Sequence, residues 1–368
     1  MDKNKFKIPT YRHPDLEQSF LKDAPNAKLV EAPEDGISPA DYHALSVFPE
    51  YFKINGKWIL ATESRMDTVC VADDTPGKES VSIVEFRNLK KGDKVVVGRA
   101  EDASEGIYVY TGGFETEEKT SDTFAFRSGR SRETAFSIDY DKLYQILEHE
   151  KQHNGKVTWV LGSAITLDSG SREALEKLVR GGYVNAILCG NALAAFDLEQ
   201  AVFGSTWGQD IFKKEQNTNR HYYETINMAR KAGSLEAFVK SGKVKDGFVK
   251  ACVECNVPIV IAGTIRDRFA LPGTYDNFYE AQDAMRVHSR HTSTIIMVSA
   301  VLFTIATGNM TPSYNDFDGE IRPVYMYTID IQEFTVNKLS DRGTLTATSI
   351  VTNAQDFMKN IKRAIIKK

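Results

Sequence analysis

Beyond Ile138 the chain repeats one rhythm: a short, continuous apolar run, one or two small or polar residues, then a stretch with helical three-to-four-residue spacing. Apolar runs without polar alternation predict strands covered on both faces, and their alternation with helices predicts a parallel sheet. The pattern predicts strands over 157–161, 184–189, 258–262, 294–298, 323–329 and 347–351, with helices over 140–151, 171–180, 192–202, 222–231, 235–255 and 278–290. It also predicts a helix or loop through Asn309, a helix ending at Leu339 and a final helix. Between Phe48 and Gly113 the period changes to short β runs, at 51–54, 58–62, 68–71, 81–86, 94–98 and 107–111. Asn55-Gly56 between the first two predicts a hairpin, since both residues tolerate the positive φ of a type I′ turn. Residues 1–45 are polar, contain proline and show no sustained period, and 114–135 read as a linker. The expected organisation is an N-terminal arm (1–45), a small β-rich domain (46–135) and an α/β nucleotide-binding domain (136–368). No repeat of solenoid length is visible.

A length of 368 residues suits two domains. A net charge of -4 gives no electrostatic reason to expect nucleic acid, and the basic tail from Lys359 to Lys368 reads as a solvated helix end. Met1–Pro25 lacks a basic start followed by an apolar stretch, and the apolar run from Ile295 to Ala306 is too short to span a bilayer. No membrane contact is expected, and the cytoplasm is the expected compartment. The four cysteines are too scattered for a disulfide framework, and the Cys252–Cys255 pair lacks a second pair of ligands. His221, His288 and His291 do not stand at zinc spacing, so no metal is expected.

The chemistry is expected at the carboxyl ends of the parallel strands. There the sequence places Gly162-Ser163-Ala164, Gly190-Asn191-Ala192, Gly263-Thr264-Ile265 with Asp267, Asp330, and Thr352 after the last strand. Small residues let the backbone approach a ligand, and the N–H groups opening the next helix can hold a phosphate. The glycine fingerprint of ordinary dinucleotide folds is missing from the first turn, and no P-loop occurs. Asp330 is the candidate ribose carboxylate, with a helix N-cap as its other reading. Asp267 is a candidate acid/base or ammonium contact, or one half of an ion pair with Arg266. Arg172, near a predicted helix start where a cation is disfavoured, points to an anionic ligand, and Arg286 is a second candidate for a carboxylate or phosphate.

The run Gly170-Ser171-Arg172-Glu173-Ala174-Leu175, followed by Gly182-Tyr183-Val184-Asn185-Ala186-Ile187-Leu188-Cys189-Gly190-Asn191-Ala192, resembles the NAD-dependent ornithine cyclodeaminases of archaea and cyanobacteria. This family is also labelled a lysine-oxoglutarate reductase/saccharopine dehydrogenase conserved region. Further matching runs include Ala262–Asp267, Glu280–Arg286, Gly308-Asn309 and Lys338–Gly343, and the likeness extends from about Phe48 to Phe357. The resemblance implies an NAD domain of the deoxyhypusine-synthase-like type, a smaller β-rich domain before it, and a homo-oligomer, either dimer or tetramer. It implies NAD as cofactor and a small amino acid as substrate. In the implied chemistry a hydride leaves the substrate Cα, the δ-amine attacks the imine, ammonia departs, and the returning hydride gives proline. On this reading Arg172 or Arg286 clamps the substrate carboxylate and Asp267 serves the amine. Gly162, Ser163, Ala164, Asn191, Ala192, Gly263, Thr264, Ile265, Asp330 and Thr352 line the cofactor.

The chain departs from the family pattern at Arg268-Phe269-Ala270, at Gly273 and Asn277, at Thr218-Asn219, and at Phe303, where the family has histidine. Fewer acids weaken recognition of a diamine, because buried ammonium groups need paired carboxylates. Two further readings follow: an amino-acid or opine-type oxidoreductase using NAD, and a nucleotide-binding regulatory protein with altered chemistry.

Overall fold

The computed structural model describes residues 7–114, 138–204, 220–264, 267, 269–332 and 344–366. Nearly all of the expected linker, the helix expected to end at Leu339, and Ile265 lie outside the described residues. So do Thr218-Asn219, Arg266 and Arg268.

After a short helix α1 (Ser19–Lys22) come the strands β1 (Lys28–Glu31), β2 (Glu50–Ile54), β3 (Lys57–Leu60), β4 (Thr68–Asp73), β5 (Ser80–Glu85), β6 (Lys94–Val97) and β7 (Ile107–Val109). They form two antiparallel sheets, ordered β1-β6-β4-β5 and β3-β2-β7. The hairpin at Asn55-Gly56 forms as expected: both residues have positive φ (48° and 81°), and Ile54 pairs with Lys57. Strand β1 is a departure from the expected arm, since Lys28 through Glu31 pair with Val97 through Lys94 and belong to the β-rich region. Four residues are too few to reveal an alternation in the sequence.

The second part runs α2 (Ile138–Gln152), β8 (Val157–Leu161), α3 (Ser169–Arg180), β9 (Ala186–Gly190), α4 (Asn191–Phe203), α5 (Arg220–Ala232), α6 (Leu235–Lys240), α7 (Phe248–Cys255), β10 (Ile259–Ala262), α8 (Phe278–Ser289), β11 (Thr294–Val298) and α9 (Val301–Met310). A hairpin of β12 (Tyr314–Phe317) and β13 (Glu320–Pro323), then β14 (Tyr325–Asp330), β15 (Ala347–Val351) and α10 (Ala354–Ile365), complete it. Six parallel strands form one sheet, ordered β10-β9-β8-β11-β14-β15. Counted along the chain, these are the third, second, first, fourth, fifth and sixth strands of the sheet, the strand order of a Rossmann fold.

Alternate residues of each strand supply the two faces. Trp159, Leu161, Ile187, Cys189, Ile296 and Val298 join a core with helices α2, α3, α4, α7 and α10. Val160, Leu188, Ile295, Met297 and Met326 face the other way, toward Ala281 and Met285 of α8 and Met310 of α9. Burial on both sides is the reason these strands read as unbroken apolar runs.

Two buried ion pairs brace the parts. Glu150, fully buried near the end of α2, accepts from Arg322 Nη2 on β13 at 2.7 Å and from Thr294 Oγ1 at the start of β11 at 2.8 Å. In the β-rich region His43 Nε2 lies 2.8 Å from Glu50 Oε2, both side chains buried. Burial pulls the His43 imidazole down, but its hydrogen bond and charge attraction to Glu50 outweigh this and hold its pKa above the ordinary 6.5.

Replacing Glu150 with alanine leaves the Arg322 guanidinium buried without its carboxylate; the expected loss is about 3–5 kcal/mol in chemical denaturation, and a loss under 1 kcal/mol contradicts the role. For His43 the raised folded-state pKa means that the pair's stabilisation is complete below the unfolded value, about pH 6.5, and is lost as pH climbs through the folded value. Denaturation midpoints measured across that window should fall for the parent, and the fall should flatten in His43→Gln.

Candidate functional site

The chain leaves β8 toward β9 on one side of the sheet, whereas β11 leads to β14 on the other. Loops after these two neighbours therefore diverge, and in sheets of this order the ligand crevice is expected at their carboxyl ends. The two strands run in register, Leu161 beside Val298. Just past their ends the Gly162 N–H donates to the Val298 carbonyl and the Ser299 N–H to the Ile329 carbonyl, both at 2.9 Å. A Cβ on Gly162 would overlap the Ser299 carbonyl, so only glycine fits there. Ser299 itself is left-handed, φ 51°. After Gly162 one 3-10 turn, Ser163–Ile165, is tied down by Gln355 Nε2, which donates to the Ala164 carbonyl at 3.0 Å.

The remaining strand ends surround this crevice. Asn191, the first residue of α4, is fully buried and structurally engaged. Its Nδ2 donates to the Tyr222 hydroxyl at 3.0 Å and its Oδ1 accepts the Leu271 N–H at 2.9 Å, while neighbouring Ala192 stays half-buried. After β10, Gly263 donates to the Tyr275 carbonyl at 2.6 Å. Asp267 Oδ2 accepts from both the N–H and the Oγ1 of Thr264, at 2.9 and 3.0 Å. Asp330 ends β14 with its carbonyl accepting from the Thr352 N–H and its Oδ1 from the Gln332 N–H, each at 3.0 Å. Its carboxylate thus stands at the sheet edge, turned back on its own chain through one oxygen.

The two arginines are elsewhere, which corrects the inference drawn from them. Arg172 lies in the first turn of α3, but its Nε donates to Asp197 Oδ1 of α4 at 2.6 Å and its Nη2 to Asp246 Oδ1 at 2.7 Å. Asp197 in turn accepts the Phe248 and Val249 N–H groups at 3.3 and 3.0 Å and caps α7 from a distance. Burial pushes the Asp197 carboxyl up to about 6, against the pull of Arg172 and the two backbone donors, so it remains ionised at neutral pH. Gly247 permits the junction: its φ is 102°, and a Cβ would fall on the Arg172 guanidinium. The anion that Arg172 implied is a protein carboxylate. Arg286, on α8, has its Nε 3.0 Å from Glu85 Oε1 of the β-rich region. It belongs to a seam in which Arg65 pairs with Glu63 and Glu85, Arg290 with Glu63, and Arg87 with Asp283. That seam docks the β-rich region against α8.

A cavity of about 530 Å³ lies at the opposite, amino-terminal edge of the sheet, lined by Lys156, Arg180, Asn185, His288 and His291 among others. Helices α3, α7 and α8 all end there, and Arg180 at the end of α3 is paired with Glu176 and Glu254. Ser299 was missed by the sequence reading. Its signal was the small pair Ser299-Ala300 after an apolar strand, hidden because the apolar run resumes at Val301. No group of metal-ligating side chains and no helix long and apolar enough to cross a membrane occurs among the described residues.

If Arg172 serves packing and not a ligand, Arg172→Ala loses about 3–5 kcal/mol in denaturation, while the folded variant titrates with dinucleotide like the parent. A tenfold weaker titration with unchanged stability would restore the ligand role.

Residues 141–361 match the Rossmann-fold C-terminal region of the ArgZ-like arginine dihydrolases, and 49–135 match the first region of the same C-terminal part. The chain is 32% identical over 349 residues to the bifunctional arginine dihydrolase/ornithine cyclodeaminase AgrE of Nostoc sp., covering 94% of this chain and 48% of that protein. It is 33% identical to the ornithine cyclodeaminase of Methanococcus maripaludis, with 90% of this chain and 78% of the relative covered. A crystal structure of a conserved LOR/SDH protein from Methanococcus maripaludis superposes with a TM-score of 0.78 at 31% identity, covering 93% of this chain and 98% of that one. The ternary complex of AgrE with ornithine and NAD+ superposes with a TM-score of 0.58 at 30% identity, covering 94% of this chain and 46% of that one. The chain thus spans about half the length of the bifunctional relative and more than three quarters of the archaeal one. With both of its parts matched, the chain belongs to the family of ArgZ-like C-terminal regions and archaeal ornithine cyclodeaminases.

Proposed function

We propose that the chain is an NAD-dependent cyclodeaminase that converts ornithine, or a close diamino acid, to a cyclic imino acid and ammonia. The observation that carries this reading is the reversal of strand order between β8 and β11, where Gly162 packs against Ser299 and Asp330 ends the neighbouring strand. It stands in a chain similar along nine tenths of its length to proteins named for this activity, one of them seen with ornithine and NAD+. The matched family models describe a C-terminal region, so only the cyclodeaminase part of the bifunctional name is carried over. We also place the sheet in the deoxyhypusine-synthase-like type, supported by a first turn that lacks the ordinary glycine fingerprint.

The residues present fit a dinucleotide. The two strand-end loops meet backbone to backbone, which lets a ligand lie over them without a side chain in its way, and a carboxylate at a strand end can accept from the vicinal hydroxyls of a ribose. Gly162, Ser163 and Ala164 would form the floor, Asp330 would hold the sugar with Thr352 beside it, and Ala192, Gly263 and Thr264 would border the far side. Asn191 contributes by fixing α4 to the Leu271 segment, because its side chain is already engaged. NAD supplies a reversible hydride acceptor, which makes the overall conversion redox-neutral. Asp267 would accept a proton from the substrate amine, a role supported by its place after β10 and by Thr264, which orients one of its oxygens. Arg172 and Arg286 leave the proposal, since each is paired within the protein.

Self-association is supported by apolar side chains left exposed around the sheet edge, notably Leu302 (80% exposed) and Phe278 (73%). Free cysteines at all four positions support a reducing compartment such as the cytoplasm.

With ornithine and a trace of NAD, the purified protein should release many equivalents of ammonia and proline per NAD without steady accumulation of NADH. NADH formed in step with ammonia points instead to a net oxidoreductase, and NAD binding without turnover to a regulatory protein. Asp330→Asn should weaken NAD binding about tenfold in calorimetry, as expected for a lost charge-assisted hydrogen bond.

A further inference from the structure

Ser299 follows β11 at the point where the strand order of the sheet reverses, and neither the sequence reading nor the family match gives it a role. Among the described residues, eight other than glycine have positive φ. Six of these are aspartate or asparagine, whose short polar side chains ease the left-handed conformation, and Ala103 is the seventh. Ser299 is the eighth, and it lies between a fully buried strand and helix α9. Its N–H is engaged by Ile329, and its carbonyl occupies the space where a side chain on Gly162 would stand. Its hydroxyl makes no hydrogen bond among the described residues, although the residue is half-buried. A left-handed serine at this position ends β11 at the point where the sheet order reverses, the position over which a dinucleotide is centred in folds of this order. Conformations of this kind persist where the surrounding structure enforces them, and they concentrate at ligand sites.

We propose that Ser299 is a diphosphate-holding residue of this crevice, its Oγ–H donating to a diphosphate oxygen of the bound dinucleotide. The assignment rests on the NAD reading above. It divides labour along the crevice: Ser299 and the Gly162 floor take the diphosphate at the reversal point, and Asp330, one strand further out, takes a ribose. A hydroxyl donor serves an anion at this spot without adding a buried charge that would need its own partner.

The test measures NAD, ADP and adenosine binding to the full chain and to Ser299→Ala, Ser299→Gly and Asp330→Asn, together with melting temperatures. Ser299→Gly relieves the left-handed backbone, so it should melt no lower than the parent and serves if the alanine variant folds poorly. Both serine variants are expected to bind NAD and ADP about tenfold more weakly and adenosine unchanged, the signature of one lost hydrogen bond to a charged acceptor. Parent-like affinity for NAD and ADP in the serine variants, with Asp330→Asn still weakened, overturns the role of Ser299 and leaves the NAD reading standing. An equal loss for adenosine overturns the diphosphate assignment. A parent chain that binds no NAD overturns both.

Discussion

Two neighbouring strand ends, Leu161-Gly162 and Val298-Ser299, approach so closely that no side chain fits between them, and the arrangement at the sheet edge follows from that contact. It exists because β8 and β11 are parallel, adjacent and buried on both faces, with the chain turning away from them in opposite directions. Cores on both faces fix the strands; the strands fix the glycine and the left-handed serine; the loops beyond are then free to border a ligand. Adding a single methyl group at Gly162 would force the two ends apart and change the shape of the crevice floor.

Charge is handled separately from this edge. The arginines and carboxylates of the described structure mostly brace one element against another: Arg172 with Asp197 across three helices, Arg322 with Glu150 below the sheet, and Arg286 within the seam to the β-rich region. Each is partly or fully withdrawn from water, where an unpaired ion is costly, and each therefore has a protein partner. The carboxyl edge of the sheet, the proposed ligand edge, carries small residues, hydroxyls and backbone N–H groups instead, with Asp267 and Asp330 among its acids. Such an edge suits an anionic cofactor that approaches the backbone closely.

Much of this could be read from the sequence, for reasons that differ by element. The strands at Val157–Leu161 and Thr294–Val298 coincide with their apolar runs, since a strand buried on both faces leaves no ambiguity of period. The hairpin at Tyr314–Pro323 went unread, although Asp318-Gly319 carries the same turn signal as Asn55-Gly56 and both residues have positive φ. Its strands merge with the apolar run of β14, so the turn was lost between two longer signals. The error over Arg172 has another cause. An argument from the dipole of one helix considers only the residues of that helix, whereas Asp197 arrives from 25 positions along the chain and is invisible to it. The places of Asp330 and the glycines at strand ends were legible because position along a strand decides them, whereas the partner that makes Gly162 obligatory, Ser299, is as invisible to a local reading as Asp197.

The central claim is that the dinucleotide lies across the reversal point of the parallel sheet. A crystal structure of the chain grown with NAD tests it most directly. The account predicts a diphosphate over the Gly162–Ser299 contact and a ribose against Asp330; a cofactor bound at the cavity below the sheet, beside Lys156 and His288, would contradict it.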